Sequence, residues 1–153
     1  MLAKIKKASI DDLDRLYEIE MKCFKTEAFT KQQIAYLLTD SNSVIFVSKV
    51  KSEIVGFIIG KTYMDKKPAT GQILTIDVSP NHRRKGIGQR LLQEIEKTFK
   101  DKSVKICHLE VRENNLGALS LYQKLGYRKI GRLEKYYGNA HGIRLRKVLT
   151  QLP

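Results

Sequence analysis

The run Val78-Ser79-Pro80-Asn81-His82-Arg83-Arg84-Lys85-Gly86-Ile87-Gly88 separates an apolar strand pattern from an amphipathic helix pattern. Glycines at 86 and 88, at the mouth of a helix, let the backbone turn closely beneath a ligand. The first amides of a helix have no intrahelical acceptor, and the helix dipole adds positive potential at that end. Arg83, Arg84 and Lys85 raise the potential further, and a guanidinium can grip a phosphate through two hydrogen bonds. Together these features describe a backbone cradle for a phosphorylated ligand. The glycine spacing alone also suits an ordinary surface turn entering a helix. Two common nucleotide signatures do not fit: no Gly-Lys-Ser/Thr closes a P-loop here, and no second upstream glycine completes a dinucleotide fingerprint.

The hydrophobic pattern on either side supplies the elements. A short strand at 3–8 precedes Ser9 and Asp12, which have the spacing of a capping box for a helix over about 10–22. That helix lines up Leu13, Leu16, Tyr17 and Glu20. Thr30 and Gln33 repeat the capping arrangement ahead of Ile34, Leu37 and Leu38, and the intervening loop carries Phe24 and Phe29. Strand patterns follow at Val44–Val47, Glu53–Thr62 and Gly71–Val78, with Lys51-Ser52 as a tight connection between the first two. Ile87, Leu91, Ile95 and Phe99 at four-residue spacing, with Leu92, form one apolar helix face. A strand at Val104–Val111, a helix over about 115–125 stopped by Gly126, and strands at Tyr127–Leu133 and Ile143–Leu149 complete the order. This is an α+β or three-layer α/β/α arrangement, with a strand–helix–strand–helix unit in the second half.

One domain over 1–153 is the expectation for this length, since 153 residues bury a core unaided. Cys23 and Cys107 stand far apart without metal-like spacing and read as free thiols, and no metal site is expected. No apolar run has signal or membrane-span length, so the expectation is a soluble, cytoplasmic protein. The formal charge of +13 favours anionic partners, among them nucleic acid, ribosome and polyphosphate ligands. Charge alone does not choose between them and a plain solvated basic face.

Arg83-Arg84-Lys85-Gly86-Ile87-Gly88 resembles the acetyl-coenzyme A signature Gln/Arg-x-x-Gly-x-Gly/Ala of the Gcn5-related N-acetyltransferase superfamily. Leu109-Glu110-Val111-Arg112-Glu113-Asn114-Asn115, Ala118, Leu121-Tyr122 and Gly126-Tyr127 resemble the second half of that fold. They are most similar to the N-terminal α-amino acetyltransferases of ribosomal protein alanine in bacteria and of nascent chains in archaea. Tyr136-Tyr137 matches a pair near the end of that subfamily. The resemblance implies a mixed sheet of about seven strands with about four helices. It implies acetyl-coenzyme A as donor and coenzyme A as product, with pyrophosphate on amides from Arg84 through Lys85, Gly86 and Ile87 to Gly88, assisted by Arg83 or Arg84. It also implies that Ile76 and Val78 offer backbone groups to the pantetheine arm, that Asn115 contacts the cofactor, and that Tyr122 lies beside the thioester sulfur.

Acyl transfer to an amine needs a proton removed from the ammonium and a proton supplied to the departing thiolate. Glu110 stands in an apolar strand, where an acid is costly unless used or paired. Tyr122 follows on the next helix, and its phenol can donate at neutral pH. Glu110 as base and Tyr122 as acid are therefore the expected pair, reaching one cleft, with a backbone amide near Ile76 facing the developing oxyanion. An exposed or edge-strand Glu110 and a core Tyr122 are the plainer alternatives.

In the related enzymes the peptide enters between the loop after the first helix and the final hairpin. The resemblance thus places Phe24, Phe29, Tyr136 and Tyr137 at the acceptor entrance, with Glu20 and Glu27 as nearby acids. Where the subfamily has an acidic step after Tyr-Tyr, this chain has Gly138-Asn139-Ala140-His141-Gly142, followed by Arg144, Arg146 and Lys147. That loss of negative charge is expected either to change peptide preference or to accommodate acidic second residues in the acceptor. Protein or peptide N-termini are the expected partners, with possible ribosome proximity, no membrane, and a monomer or weak homodimer. A lysine or polyamine-like acetyltransferase on the same fold, and a non-catalytic ribosome- or nucleic-acid-binding module, are the competing readings.

Overall fold

The computed structural model describes residues 3–150. Strands β1 (Lys4–Lys7), β2 (Ser43–Val50), β3 (Glu53–Tyr63), β4 (Thr70–Val78), β5 (Ile106–Arg112), β6 (Arg128–Tyr137) and β7 (Ala140–Val148) form one sheet in the order β1-β2-β3-β4-β5-β7-β6. Helices α1 (Leu13–Cys23) and α2 (Lys31–Thr39) cover one face. Helices α3 (Ile87–Asp101) and α4 (Leu116–Lys124) cover the other. This is the seven-strand, four-helix α+β fold. No helix among the described residues is long and apolar enough to cross a membrane.

The Thr30–Gln33 box is present, with Gln33 N–H donating to Thr30 Oγ1 at 3.1 Å and Thr30 N–H to Gln33 Oε1 at 2.8 Å. Ser9 N–H donates to Asp12 Oδ2 at 2.9 Å, but the turn it starts, Ile10–Asp12, is 3-10, and the α-helix begins at Leu13. The closing hairpin also departs from expectation. Only Gly138 and Asn139 form its turn, while Ala140, His141 and Gly142 belong to β7 and Tyr136-Tyr137 to β6. Lys135 N–H donates to His141 Nδ1 at 3.0 Å, which draws the two strands together beside the register shift between Leu133 and Tyr137.

Helix α3 buries Ile87, Leu91, Leu92, Ile95 and Phe99 on the sheet, each contributing about 1.5–3 kcal/mol. Phe99 fits because β3 and β4 present glycines beneath it. A Cβ at Gly71 would stand 2.5 Å from Phe99 Cε2, and one at Gly60 2.8 Å from Phe99 Cζ.

The central parallel pair positions the site. Strands β4 and β5 pair only from Thr70–Ile106 to Ile73–Leu109, and beyond Ile73 they separate. On its other edge β4 stays paired with β3 as far as Val78, with one extra residue, Leu74, between Ile73–Gly60 and Thr75–Ile59. This bulge shifts the alternation: Ile73 faces the α3 core, Leu74 packs with the α1–α2 core, and Ile76 and Val78 return to the α3 side. Strand β5 meanwhile follows β7 through Arg112. The sheet therefore opens between its two halves.

Candidate active site

The gap is lined by backbone groups of β4. Ser79 N–H donates to Val55 C=O at 2.8 Å, so the hydrogen-bonded pairs of this antiparallel ladder continue through Asp77–Phe57. Ile76 and Val78, opposite Ile58 and Gly56, are the alternate pairs, and their N–H and C=O groups point away from β3 toward β5. The Val78 carbonyl is already engaged. It accepts from Arg83 Nε at 3.0 Å, with Cys23 Sγ at 3.5 Å. The Arg83 guanidinium is therefore held against the end of β4 and the Cys23 thiol, 3.5 Å from its Nη2, rather than extended for a phosphate.

Past Val78 the chain reaches the basic turn. Arg84 has φ 62° and Gly86 φ 79°, both left-handed, and Gly86 supplies no side chain to cap α3. The first helical bond runs from Arg90 N–H to Gly86 C=O at 3.1 Å, so the amides of Ile87, Gly88 and Gln89 have no helical acceptor. Arg84, Lys85 and Gly86 are exposed around them. Uncapped amides at the end of an open strand edge suit a ligand with a phosphate group and an extended amide arm.

On the far wall, α4 is capped by Asn115, whose Oδ1 accepts from Ala118 N–H at 3.1 Å and whose NH2 remains available. Tyr122 packs on the α3-side core, its ring 6.1 Å from that of Tyr127. Burial pushes its phenol up to about 12, with Asp77 adding to the rise, so it carries a proton at neutral pH. Its hydroxyl makes no hydrogen bond among the described residues.

Glu110 lies on the opposite face. The core residues Cys107, Leu109 and Val111 alternate with it and point toward α3. Its side chain is 7% exposed and accepts from Gln72 Nε2 at 2.9 and 3.2 Å, with Arg144 Nη2 at 3.4 Å. Glu110 and Tyr122 thus flank the gap from the two sides of the sheet instead of sharing one wall. The sequence pattern could not show this, because it depends on how β5 registers with β4 and β7.

The uncovered sheet face around Glu110 has two walls. The 24–30 loop supplies one: Glu27 accepts from Arg112 Nε and Nη2 at 2.9 and 3.0 Å, and the Arg112 pairing lowers the Glu27 carboxyl below its usual range. The β6–β7 hairpin supplies the other. Tyr136 and Tyr137 meet edge to face at 4.9 Å, and Arg112 sits 5.1 Å over the Tyr137 ring. Gly142 makes room for both tyrosines, since a Cβ there would come within 3.2 Å of each. Phe24 is half-buried at the end of α1. Phe29, also half-buried, borders a groove of about 470 Å³ with Tyr36, Lys61, Tyr63 and Leu74.

Glu20 does not stand at this entrance. It is 1% exposed, accepts from Phe29 N–H at 2.9 Å, and lies 3.3 Å from Thr75 Oγ1. Thr75 Oγ1 is also 2.6 Å from Oδ1 of Asp77, which is fully buried. Burial first, and then Glu20, raise the Asp77 carboxyl well above the usual carboxylate range, so Asp77 keeps its proton to higher pH than a free carboxyl does. An acid inside the apolar run Ile73–Val78 carried the same signal that singled out Glu110, and it marks the tie between α1 and β4. Gln72, Arg112 and Arg144 had no such local signal.

The acetyltransferase (GNAT) family profile matches residues 13–127. The chain belongs to that family. The acetyltransferase is 30% identical over 145 residues to an N-alpha-acetyltransferase of Sulfurisphaera tokodaii, covering 89% of this chain and 86% of the relative. It is 28% identical to a spermidine N(1)-acetyltransferase of Thermoplasma acidophilum, covering 84% and 89%. Its fold matches the ribosomal-protein-S18-alanine N-acetyltransferase of Escherichia coli with a TM-score of 0.89 at 21% identity, covering 99% of this chain and 97% of that one.

The buried pair yields a stability prediction. Asp77 keeps its proton in the folded enzyme to higher pH than in the unfolded chain, so its own contribution to stability falls as pH rises above about 4. Asp77→Asn retains a donor toward Glu20 without that slope. Its melting temperature is expected to gain on wild type as pH rises above about 4, each kcal/mol being worth about 2–4 °C. A pH-independent difference would contradict a protonated Asp77.

Proposed function

We propose that this enzyme acetylates the free N-terminal α-amine of proteins or peptides, with acetyl-coenzyme A as donor in a ternary complex. The observation that carries the reading is the split sheet, with Tyr122 behind the gap and Glu110 in front of it on an uncovered face between two walls. Bound acetyl-coenzyme A supplies the acyl group as a thioester. The amides of Ile87, Gly88 and Gln89 would hold its pyrophosphate, the gap-facing groups of Ile76 and Val78 its amide arm, and the Asn115 NH2 a further polar contact.

The chain's own groups then divide the proton work. Glu110, fixed by Gln72, takes the proton of the acceptor ammonium through water. This demand is modest, because an α-amine titrates near ~7.7–8.0 and a lysine amine near ~10.4. The amine nitrogen forms its bond to the acyl carbon as the carbon–sulfur bond breaks. Its second proton leaves through the same water to solvent, and Tyr122 regains from solvent the proton it gives to sulfur. Tyr122, neutral and desolvated, donates its proton to the departing sulfur. The Ile76 N–H is the donor aimed where negative charge grows on the acyl oxygen. Neither thiol is a candidate nucleophile: Cys107 is buried and pushed up to about 12, and Cys23 is raised by burial.

A polyamine acceptor fits this face poorly. Arg144 and Arg146 lie along β7 opposite one acid, Glu110, and its neighbour His108, and the two guanidinium groups would repel a polycation. A panel of peptides with free Met, Ser, Ala and acidic N-termini, beside an N-blocked lysine peptide and spermidine, separates the readings by mass spectrometry. Label on the α-amine of the free peptides is expected. Label confined to the lysine peptide or spermidine would overturn the proposal.

Two substitutions test the division of labour. Glu110→Gln is expected to lower kcat/KM about 10²-fold or more, most severely below the α-amine pKa. Tyr122→Phe is expected to cost about 10²-fold in kcat with donor affinity unchanged. An unaltered pH profile in the first, or lost donor binding as the main defect in the second, would remove that residue from its role.

A further inference from the structure

The uncovered face is electrostatically uneven in a way that selects among peptides. Strand β5 contributes His108, Glu110 and Arg112 to it, and β7 contributes Arg144 opposite Glu110 and Arg146 opposite His108. Most nearby cations are neutralised: Arg112 by the two oxygens of Glu27, and Lys61 by Asp40 at 3.2 Å. Lys147 is on the far face, bonded to Glu96 at 2.9 Å. Arg144 differs from these. Its only carboxylate contact is one 3.4 Å approach to Glu110, its Nε is buried without a partner, and its side chain is still 43% exposed. Arg146 is exposed and makes no ion pair among the described residues. Burial first, and then Arg144 and Arg146, lower the His108 imidazole below its usual value, against Glu110.

Spacing then chooses the acceptor position. An amine joined to Glu110 through one water stands within about 6 Å of that carboxylate. The second Cα of the acceptor lies up to about 5 Å from the amine, since consecutive Cα atoms are about 3.8 Å apart and N–Cα adds about 1.5 Å. Adjacent strands lie about 4.8 Å apart. The guanidinium of Arg144, on the neighbouring strand beside Glu110, is then within reach of the second residue's side chain, while Gln72, bonded to Glu110, fills the β4 side.

Resting on N-terminal acetylation as the reaction, we infer that Arg144 reads an aspartate or glutamate at the second position of the acceptor, with Arg146 reinforcing the field. The ligand carboxylate takes the guanidinium N–H groups that Glu110 leaves unused, a charge-assisted contact that a carboxamide matches only weakly.

The test compares peptides identical except for Glu, Gln or Lys as second residue, with the intact enzyme and saturating acetyl-coenzyme A. Wild type is expected to prefer Glu over Gln by at least about tenfold in kcat/KM. Arg144→Gln is expected to bring that ratio close to one, Arg144→Lys to keep much of it, and Arg144→Glu to turn the preference toward Lys. The readout is a ratio within each variant, so a general loss of rate does not imitate it. Equal use of Glu and Gln peptides by wild type, both labelled on the α-amine, overturns this inference and leaves N-terminal acetylation standing. A Glu preference that persists in Arg144→Gln and Arg144→Glu also overturns it. Label only on lysine side chains or spermidine overturns both.

Discussion

The separation of β4 from β5 is the constraint on which the other features depend. A parallel pair normally satisfies both strands' backbone groups along its length. Here the pairing stops at Ile73 and Leu109, while each strand remains paired on its outer edge. The Leu74 bulge changes the alternation of β4 at that point, and β5 continues straight along β7. What remains is a slot with backbone donors and acceptors on one side and two differently populated faces. The end of β4 leads through one short turn to the uncapped α3 terminus, so the open strand edge and the free amides of that helix are neighbours.

The slot is kept open by ties on its front side. Glu20, Thr75 and Asp77 join α1 to β4 just beyond the bulge, and the Phe29 amide joins the same cluster to the following loop. Two buried acids cost free energy unless a proton is kept between them, and the raised Asp77 carboxyl supplies it. Arg83 ties the basic turn to the Val78 carbonyl. Arg112 links the 24–30 loop to Tyr137 through Glu27. These contacts make the front walls parts of one frame, against which Glu110 is positioned by Gln72.

How much of this was legible depended on whether the determining interactions were local. The α3 terminus was legible because Gly86, Gly88 and the four-residue apolar spacing lie within one segment. The Thr30–Gln33 box was legible for the same reason. Glu110 and Tyr122 could be named, but their placement on opposite faces follows from strand register. The 138–142 stretch read as loop because Gly138, Asn139 and Gly142 are turn formers. In the fold, Gly142 is a strand residue whose missing side chain admits Tyr136 and Tyr137. Glu20 read as an entrance acid from its position on α1, whereas its burial against Thr75 could not be seen without the sheet. Gln72 and Arg144 gained meaning only once β4, β5 and β7 were neighbours.

With Tyr122 behind the slot and Glu110 in front of it, donor and acceptor are expected to perturb opposite faces of the sheet. Backbone amide NMR, with coenzyme A added first and an unacetylatable peptide second, tests it most directly. Coenzyme A is expected to shift Ile76, Val78, Arg84 to Gln89 and the start of α4, and the peptide then to shift Glu110, Tyr136, Tyr137 and Arg144. Both ligands shifting the same face, or coenzyme A leaving Ile76 and the α3 terminus unchanged, would contradict it.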